Sequence, residues 1–560
     1  MGYLTFWLSV VGAFLLWTAL CTALASRFPR MRRLLVCVSI ASPLLVLGPL
    51  VVAAGYFEFV LRIDFHWLSY VFSAMTLTLV GSIWILRKGL TEHSIHEPEA
   101  ATWSLRGLSL ATAMFIFSGS MTLAVMDWNM RQQAVHVRDE SRGIMLSLMP
   151  QFAPPHRNAA RFYLQAIARM DADLAALQES SPLVDPFNPL ADAFGESAGN
   201  LLLRHTETLR IIRHAMTLDN CWFDRDWSRP SVDMLLPEIQ GCRNLARLLS
   251  LSAKRHAAEG QISEAMIDIA CIKRLADHVG FEPLLICSLV SVAIDTTALT
   301  TLASVLPSVT SLKEIDAVDF FHIINTPSGR CLFVRSFLGE EAFGLSMAAG
   351  FLDGTLGFDV FAPLLSEDKP STLFFSRWLP MSAGPFFRVF FMPQEIASYK
   401  SLVHQFQKLS AQPISFSELK KQTTRLEKLF LENNHSGLLG QLIPSFQSVF
   451  NAGYRSQSFQ QAAYTLLAAT RYRIENNSLP NSLDLLVPEY FSEIPPDPFA
   501  DKKPLLLRVT PDHWSVYSVG PNGVDDGGPP QLNADQSSGN DDVGLQMTTN
   551  STFKLKSTGP

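Results

Sequence analysis

Apolar residues are spaced in three different ways along this chain. Up to residue 126 they form four long runs, 3–25, 34–57, 67–86 and 107–126, and none contains a charged residue. Each has about the twenty residues that a helix needs to cross a bilayer. Hydrocarbon offers the backbone no outside partner, so a helix that satisfies its own amides is the expected form. From 156 to 306 the spacing becomes helical. Ala159, Phe162, Tyr163, Ala166, Ile167, Met170 and Leu174 mark the first amphipathic stretch, 156–177, with apolar positions three and four apart. Further helices are expected at 201–217, 235–258, 263–279 and 283–306. After Phe459 a last helix, 460–476, gives way to prolines and two short runs, 505–510 and 513–519, separated by Pro511-Asp512. Such a pair reads as a hairpin. The expected fold is mainly α, with a four-helix transmembrane bundle (1–126), a helical domain (127–455), a small α+β module (456–545) and a disordered tail (546–560).

The loops of the bundle set its direction. Arg27, Arg30, Arg32 and Arg33 crowd the first loop, and Arg87, Lys88 and Arg106 bracket the third, whereas the second holds only Arg62 beside Glu58 and Asp64. Short loops rich in Lys and Arg stay in the cytoplasm. Loops one and three then face in, and both termini lie outside the cytoplasm. Trp7, Trp67 and Trp128 fall at the outer ends and Trp84 and Trp103 near the inner ones, as indoles do at membrane interfaces. A cleaved signal peptide suits the first run poorly, because its positive charges follow the apolar stretch.

Two later stretches bear on the membrane. Residues 283–306 are almost apolar enough for a fifth span, but Asp295 sits at the centre, where a carboxylate costs about 2.5–3.5 kcal/mol on insertion scales. The expected reading is a buried helix of the helical domain. Residues 372–392 interleave phenylalanines with Arg377, Trp378, Arg388, Pro380 and Pro385. That pattern serves either a helical core or a segment resting in the headgroup layer. At Ala258-Glu259-Gly260-Gln261 a glycine ends one helix before the next begins. The join resembles the turn of a tetratricopeptide repeat, without a recurring 34-residue period. A generic helical hairpin is the alternative.

Charge and cysteines narrow the function. Residues 1–126 carry 8 Lys+Arg against 5 Asp+Glu, leaving 37 against 46 in the remainder, a net of −9. Nucleic acid wants a basic face, so it is excluded as a partner. The 7 cysteines contain no C-x-x-C, which argues against a zinc ribbon or a thioredoxin-type pair. Cys221 and Cys242 lie outside the membrane runs, one just after an expected helix and the other within the next, and an oxidising compartment permits a disulfide between them. Such a bond would contribute on the order of 3 kcal/mol.

The run Leu479-Pro480-x-Ser482-Leu483, then Leu486-Val487-Pro488, Asp497-Pro498-Phe499 and Tyr517-Ser518-Val519-Gly520-Pro521-Asn522-Gly523 resembles the globular part of the major pseudopilin of type II secretion systems. The chain as a whole is similar to a group of uncharacterised bacterial membrane proteins with a helical middle and this ending. In the pseudopilin family a long helix leads to a connector, a turn of Asp-Pro-aromatic type, strands and a calcium-binding loop. The resemblance therefore implies calcium here, with Asp525, Asp526, Asp541 and Asp542 as two acidic pairs. Calcium takes six to eight oxygens, and glycines at 520, 523, 527 and 528 let backbone carbonyls join them. Asn522 replaces an acidic residue of the family pattern, and the stretch from Gly528 to Asp541 is longer, beginning Pro529-Pro530. The family's methylation signal is missing, so a pilus subunit is not expected. A solvated acidic loop is the alternative to a calcium site.

Most motifs for common chemistry are absent: no H-E-x-x-H, phosphate loop or G-x-G-x-x-G occurs. The one G-x-S-x-G, Gly195-Glu196-Ser197-Ala198-Gly199, lies in a stretch without the strand that a nucleophile elbow follows. Asp224 and Asp226 flank Arg225 between aromatics, which reads as a structured loop with Asp–Arg pairing unless their environments differ enough for acid–base work. The expected protein is a non-enzymatic, multi-pass scaffold of the cell inner membrane, with the lipid bilayer and other envelope proteins as partners. An envelope hydrolase whose site is assembled from distant residues, or a membrane sensor for a small ligand, are the rivals.

Overall fold

The computed structural model describes residues 24, 27–28, 128–149, 154–180, 196–227, 236–316, 318, 330–356, 392–412, 414–432, 446–501, 503–529 and 540–549. The expected membrane spans lie outside the described residues, apart from Leu24, as do 372–391 and the tail beyond 549. The chain divides into two compact units. One comprises Met1–His136, Ala348–Ser398 and Leu429–Gln441, the other Val137–Met347, Tyr399–Lys428 and Leu442–Pro560. The first is described only in short helical pieces. All that follows concerns the second.

In chain order the helices are α1 (128–148), α2 (Ala160–Ser180), α3 (Glu196–Arg204), α4 (Thr206–Met216), α5 (Pro237–Ala258), α6 (Ile262–Gly280) and α7 (Leu285–Val305). Then come α8 (Arg330–Asp353), α9 (Met392–Ala411), α10 (Phe416–Glu432) and α11 (Phe446–Asn476). One antiparallel sheet closes the chain, with β1 (Leu506–Val509), β2 (His513–Ser518) and β3 (Val543–Thr548) in the order β1-β2-β3. The hairpin expected at Pro511-Asp512 is present, with Leu506 opposite Tyr517 and Val509 opposite Trp514.

α5 and α6 form the expected helical hairpin. Gly260 adopts φ +78°, a left-handed conformation that favours glycine, and its N–H donates to Ala257 while that of Gln261 donates to His256. These bonds occupy carbonyls that a helix end would leave open.

α7 is the buried helix expected over 283–306. Among the described residues it is the one helix long and apolar enough to cross a membrane, and it lies mostly inside the body. It packs against α5, α6, α11 and β3. Its hydroxyls bond back along the helix, Thr296 to Val292, Thr297 to Ala293, Thr300 to Thr296 and Thr301 to Thr297. Polar side chains thereby sit in an apolar element with their donors satisfied.

The helical domain and the C-terminal module share one core. A single cluster of buried residues runs from Met145 through Leu249, Ile269 and Leu302 to Leu466, Trp514 and Met547. α11 lies against both α7 and the sheet, and it begins at Phe446, well before the expected 460. Arg473 of α11 donates to the carbonyls of Leu306, Pro307 and Val309 at the end of α7. The tail boundary at 545 also moves. β3 continues to Thr548, because Val543, Leu545 and Met547 alternate into the core with the two-residue period of a strand.

Candidate functional site

Three charged clusters are buried in the helical body. In the first, segment 221–227 joins α4 to α5. Its start is pinned by Asn158, whose side chain donates to the Trp222 carbonyl at 2.7 Å and accepts from the Trp222 N–H at 2.9 Å. Arg225 then turns inward, and its Nη2 donates to Glu238 of α5 and, at 2.7 Å, to Glu282 in the α6–α7 turn. Asp224 and Asp226, on either side of Arg225, are exposed. Burial pushes the Glu282 carboxyl up, against the opposing pull of Arg225.

The second cluster surrounds Asp268 of α6, which is fully buried. Its Oδ1 accepts from Arg213 Nε and Nη2 at 2.9 and 2.7 Å, and its Oδ2 from Ser252 Oγ at 2.6 Å. His256 Nδ1 lies 3.0 Å from the same Oδ2, and the His256 side chain is 22% exposed. α4, α5 and α6 thus converge on one carboxylate.

The third joins Lys273 of α6 to Asp295 of α7, with Gln460 of α11 donating to Asp295 Oδ2 at 3.2 Å. One helical turn after Lys273, Asp277 is pushed up to about 6, chiefly by burial. Nearby, His278 links Tyr163 Oη at 2.9 Å to the Leu218 carbonyl at 3.1 Å. Burial and then Arg274 drive it down to about 3, so it is a neutral ring.

Cys221 and Cys242 are buried, free thiols, as are Cys271 and Cys287. The structure brings the first two within electrostatic reach of each other and of Arg225, Glu238 and Glu282. Burial raises both thiols.

In the C-terminal module, Asp497 fixes the start of the last loop. It accepts from the N–H groups of Phe499 and Val519, at 2.8 and 3.0 Å, and from Ser518 Oγ at 2.5 Å. Gly520 follows at φ +65°, and a Cβ there would overlap the Asp541 carbonyl. The loop therefore closes on itself and brings all four predicted acidic residues to one place. Asp525 accepts from Gly527 N–H and Tyr517 Oη, at 2.9 and 3.1 Å. Asp526 accepts from Asp541 N–H and Asn522 Nδ2, each at 2.9 Å. Asp542 accepts from Gly528 N–H at 2.7 Å, and Asp541 lies 3.7 Å from Arg455. Among the described residues no group of three or more His, Cys, Asp or Glu side chains is arranged to hold a metal ion. The loop suits a cation at one point: Asp542 Oδ1 is buried with no hydrogen-bond partner.

Sequence reasoning singled out Arg225 and Asp295 but not Glu238, Glu282, Lys273 or Asp268. The only signal for Glu282 was an acidic residue beside Pro283 at the head of an apolar helix. No protein-family model, curated protein or solved structure matches this chain.

Proposed function

We propose that this chain is a membrane-anchored scaffold of the cell envelope or of a secretion-type assembly, with its helical body and C-terminal module outside the cytoplasm. The bilayer holds the N-terminal runs, and the body binds other envelope proteins without chemistry of its own. The observation that carries this reading is how the body uses its buried charges. Arg225 ties segment 221–227 to α5 and to the α6–α7 turn through Glu238 and Glu282, and Arg213 with Asp268 and Lys273 with Asp295 each tie one helix to another. Such ties suit a rigid platform. Crosslinking in membranes followed by purification of the full chain should recover stable partner proteins. A chain that purifies alone, with no crosslinked species, would sink the idea. For the topology, a phosphatase fused after Pro560 should be active, and an active cytoplasm-only fluorescent fusion at that site would reverse it.

The hydrolase reading draws on one observation. His256, 22% exposed, sets Nδ1 on the buried Asp268, the kind of contact that orients a base. Ester or phosphoester hydrolysis lost on His256→Ala, with the fold intact, would favour it over the scaffold.

Calcium at the C-terminal loop and the Cys221–Cys242 disulfide belong to the same proposal. The lone Asp542 Oδ1 supports calcium, and an ion would have to compete with N–H groups for the other carboxylates. Millimolar calcium should raise the melting temperature of the full chain but not of the Asp525→Ala/Asp526→Ala variant. Equal melting with and without the ion would remove the site. For the disulfide, unreduced alkylated peptides should show 221 joined to 242, and two alkylated thiols would end it.

A further inference from the structure

The Arg225 cluster contains one cation and two carboxylates in a place without solvent. The side chains of Arg225, Glu238 and Glu282 are 6%, 4% and 1% exposed. A single guanidinium nitrogen serves both acids. Among the described residues the other groups facing the cluster bring no positive charge. They are the buried thiols of Cys221 on the same segment, Cys242 on α5 and Cys287 on α7, the last with Sγ 3.5 Å from Glu282 Oε2. The aromatic rings of Phe223 and Trp227 flank the guanidinium, 5.5 and 5.8 Å from its carbon. Among the described residues Arg225 is the one cation whose field lowers the Glu282 carboxyl. Glu282 Oε1 is buried with no hydrogen-bond partner. An uncompensated buried charge tends to take up a proton instead of remaining ionised.

We infer that Glu282, set beside Glu238 on the single guanidinium of Arg225, holds a proton at neutral pH, making segment 221–227 a pH-sensitive clamp across α5 and the α6–α7 turn. While the proton is present, one positive and one negative charge remain and the segment is locked. When it leaves in alkali, two carboxylates face one guanidinium, and their repulsion pushes the segment outward to where water can reach it. Asn158 still holds the start of the segment, at Trp222. The upward displacement of the Glu282 carboxyl by burial agrees with this sign. A carboxyl that binds its proton more tightly folded than unfolded gives stability that is complete below its unfolded value. That stability declines as pH rises to the folded value.

The test uses the full chain in detergent. Amide exchange of peptides covering 221–227, corrected for intrinsic rates, is followed from acid to alkaline pH. Wild type should lose protection with rising pH, by no more than about tenfold per pH unit, the limit for one proton. Glu282→Gln and Glu238→Gln should each abolish that dependence, because either leaves a simple one-to-one pair. The double variant should lose protection at every pH, since Arg225 is then buried without its counter-charge. An infrared carbonyl band of a protonated carboxylic acid should be present in wild type at neutral pH and vanish in Glu282→Gln. A flat wild-type profile overturns the inference, as does a slope that survives both single substitutions or the absence of that band.

Discussion

Carboxylates in the helical body and carboxylates in the C-terminal loop find different partners. Asp268 and Asp295 sit in helices whose backbone N–H groups are already committed to carbonyls four residues back. Their charge is answered by side chains from neighbouring helices, Arg213 for one and Lys273 for the other. Asp497, Asp525, Asp526 and Asp542 lie in or beside turns, where backbone N–H groups have no carbonyl in reach, and each accepts from at least one of them. A buried carboxylate in a helix acts as a bolt between elements. In the loop it replaces missing secondary structure.

The two uses differ most when a partner is removed. Lys273→Met leaves Asp295 charged and buried, and should cost about 3–5 kcal/mol in denaturant unfolding. Lys273→Met with Asp295→Leu should recover most of that loss, because a well-packed apolar pair is an adequate substitute. If the double variant is no better than the single, charge pairing is not what the site supplies. Asp497→Ala strands two N–H groups and one hydroxyl, and about 2–4 kcal/mol should be lost. No second substitution should rescue it fully, since two of the three orphaned groups belong to the backbone.

Acid probes the body in a third way. His278 is held neutral down to about 3, against an ordinary 6.5. The unfolded chain therefore binds the extra proton across that window, and stability contributed by His278 is present above 6.5 and lost as pH falls towards 3. Denaturation midpoints across this range should slope less in His278→Gln than in wild type. Equal slopes would mean that the ring is solvated. The smallest effect should come from Asp526→Asn, whose carboxyl is exposed and held low chiefly by the Asp541 N–H. Faster amide exchange at Asp541, with the melting temperature unchanged, is the expected result.

The helices of the body were legible because their apolar positions repeat. The expected 235–258, 263–279 and 283–306 fall within two residues of α5, α6 and α7 at every boundary. The start of α11 was not legible, since Gln447, Ser448, Asn451, Arg455 and Gln457 dilute its apolar period. β3 escaped notice because Gly544 and Gln546 fill its outward positions and only three residues point inward. The four acidic residues of the C-terminal loop were found because they cluster in sequence, and Gly520 closes the loop that gathers them. Lys273 and Asp295 are 22 positions apart on different helices. Their meeting depends on how α6 packs against α7, which no local pattern encodes.

The apolar face of α7 is completed by α11, and the ribosome delivers α11 long after α7. Through that interval α7 is an apolar helix without its final cover, emerging close behind segments suited to a bilayer. Asp295 penalises its lateral release into lipid by about 2.5–3.5 kcal/mol. In the membrane-anchored chain proposed above, the residue that later bolts α6 to α7 would act earlier as a routing mark, keeping a core helix out of the membrane until its partners have been made.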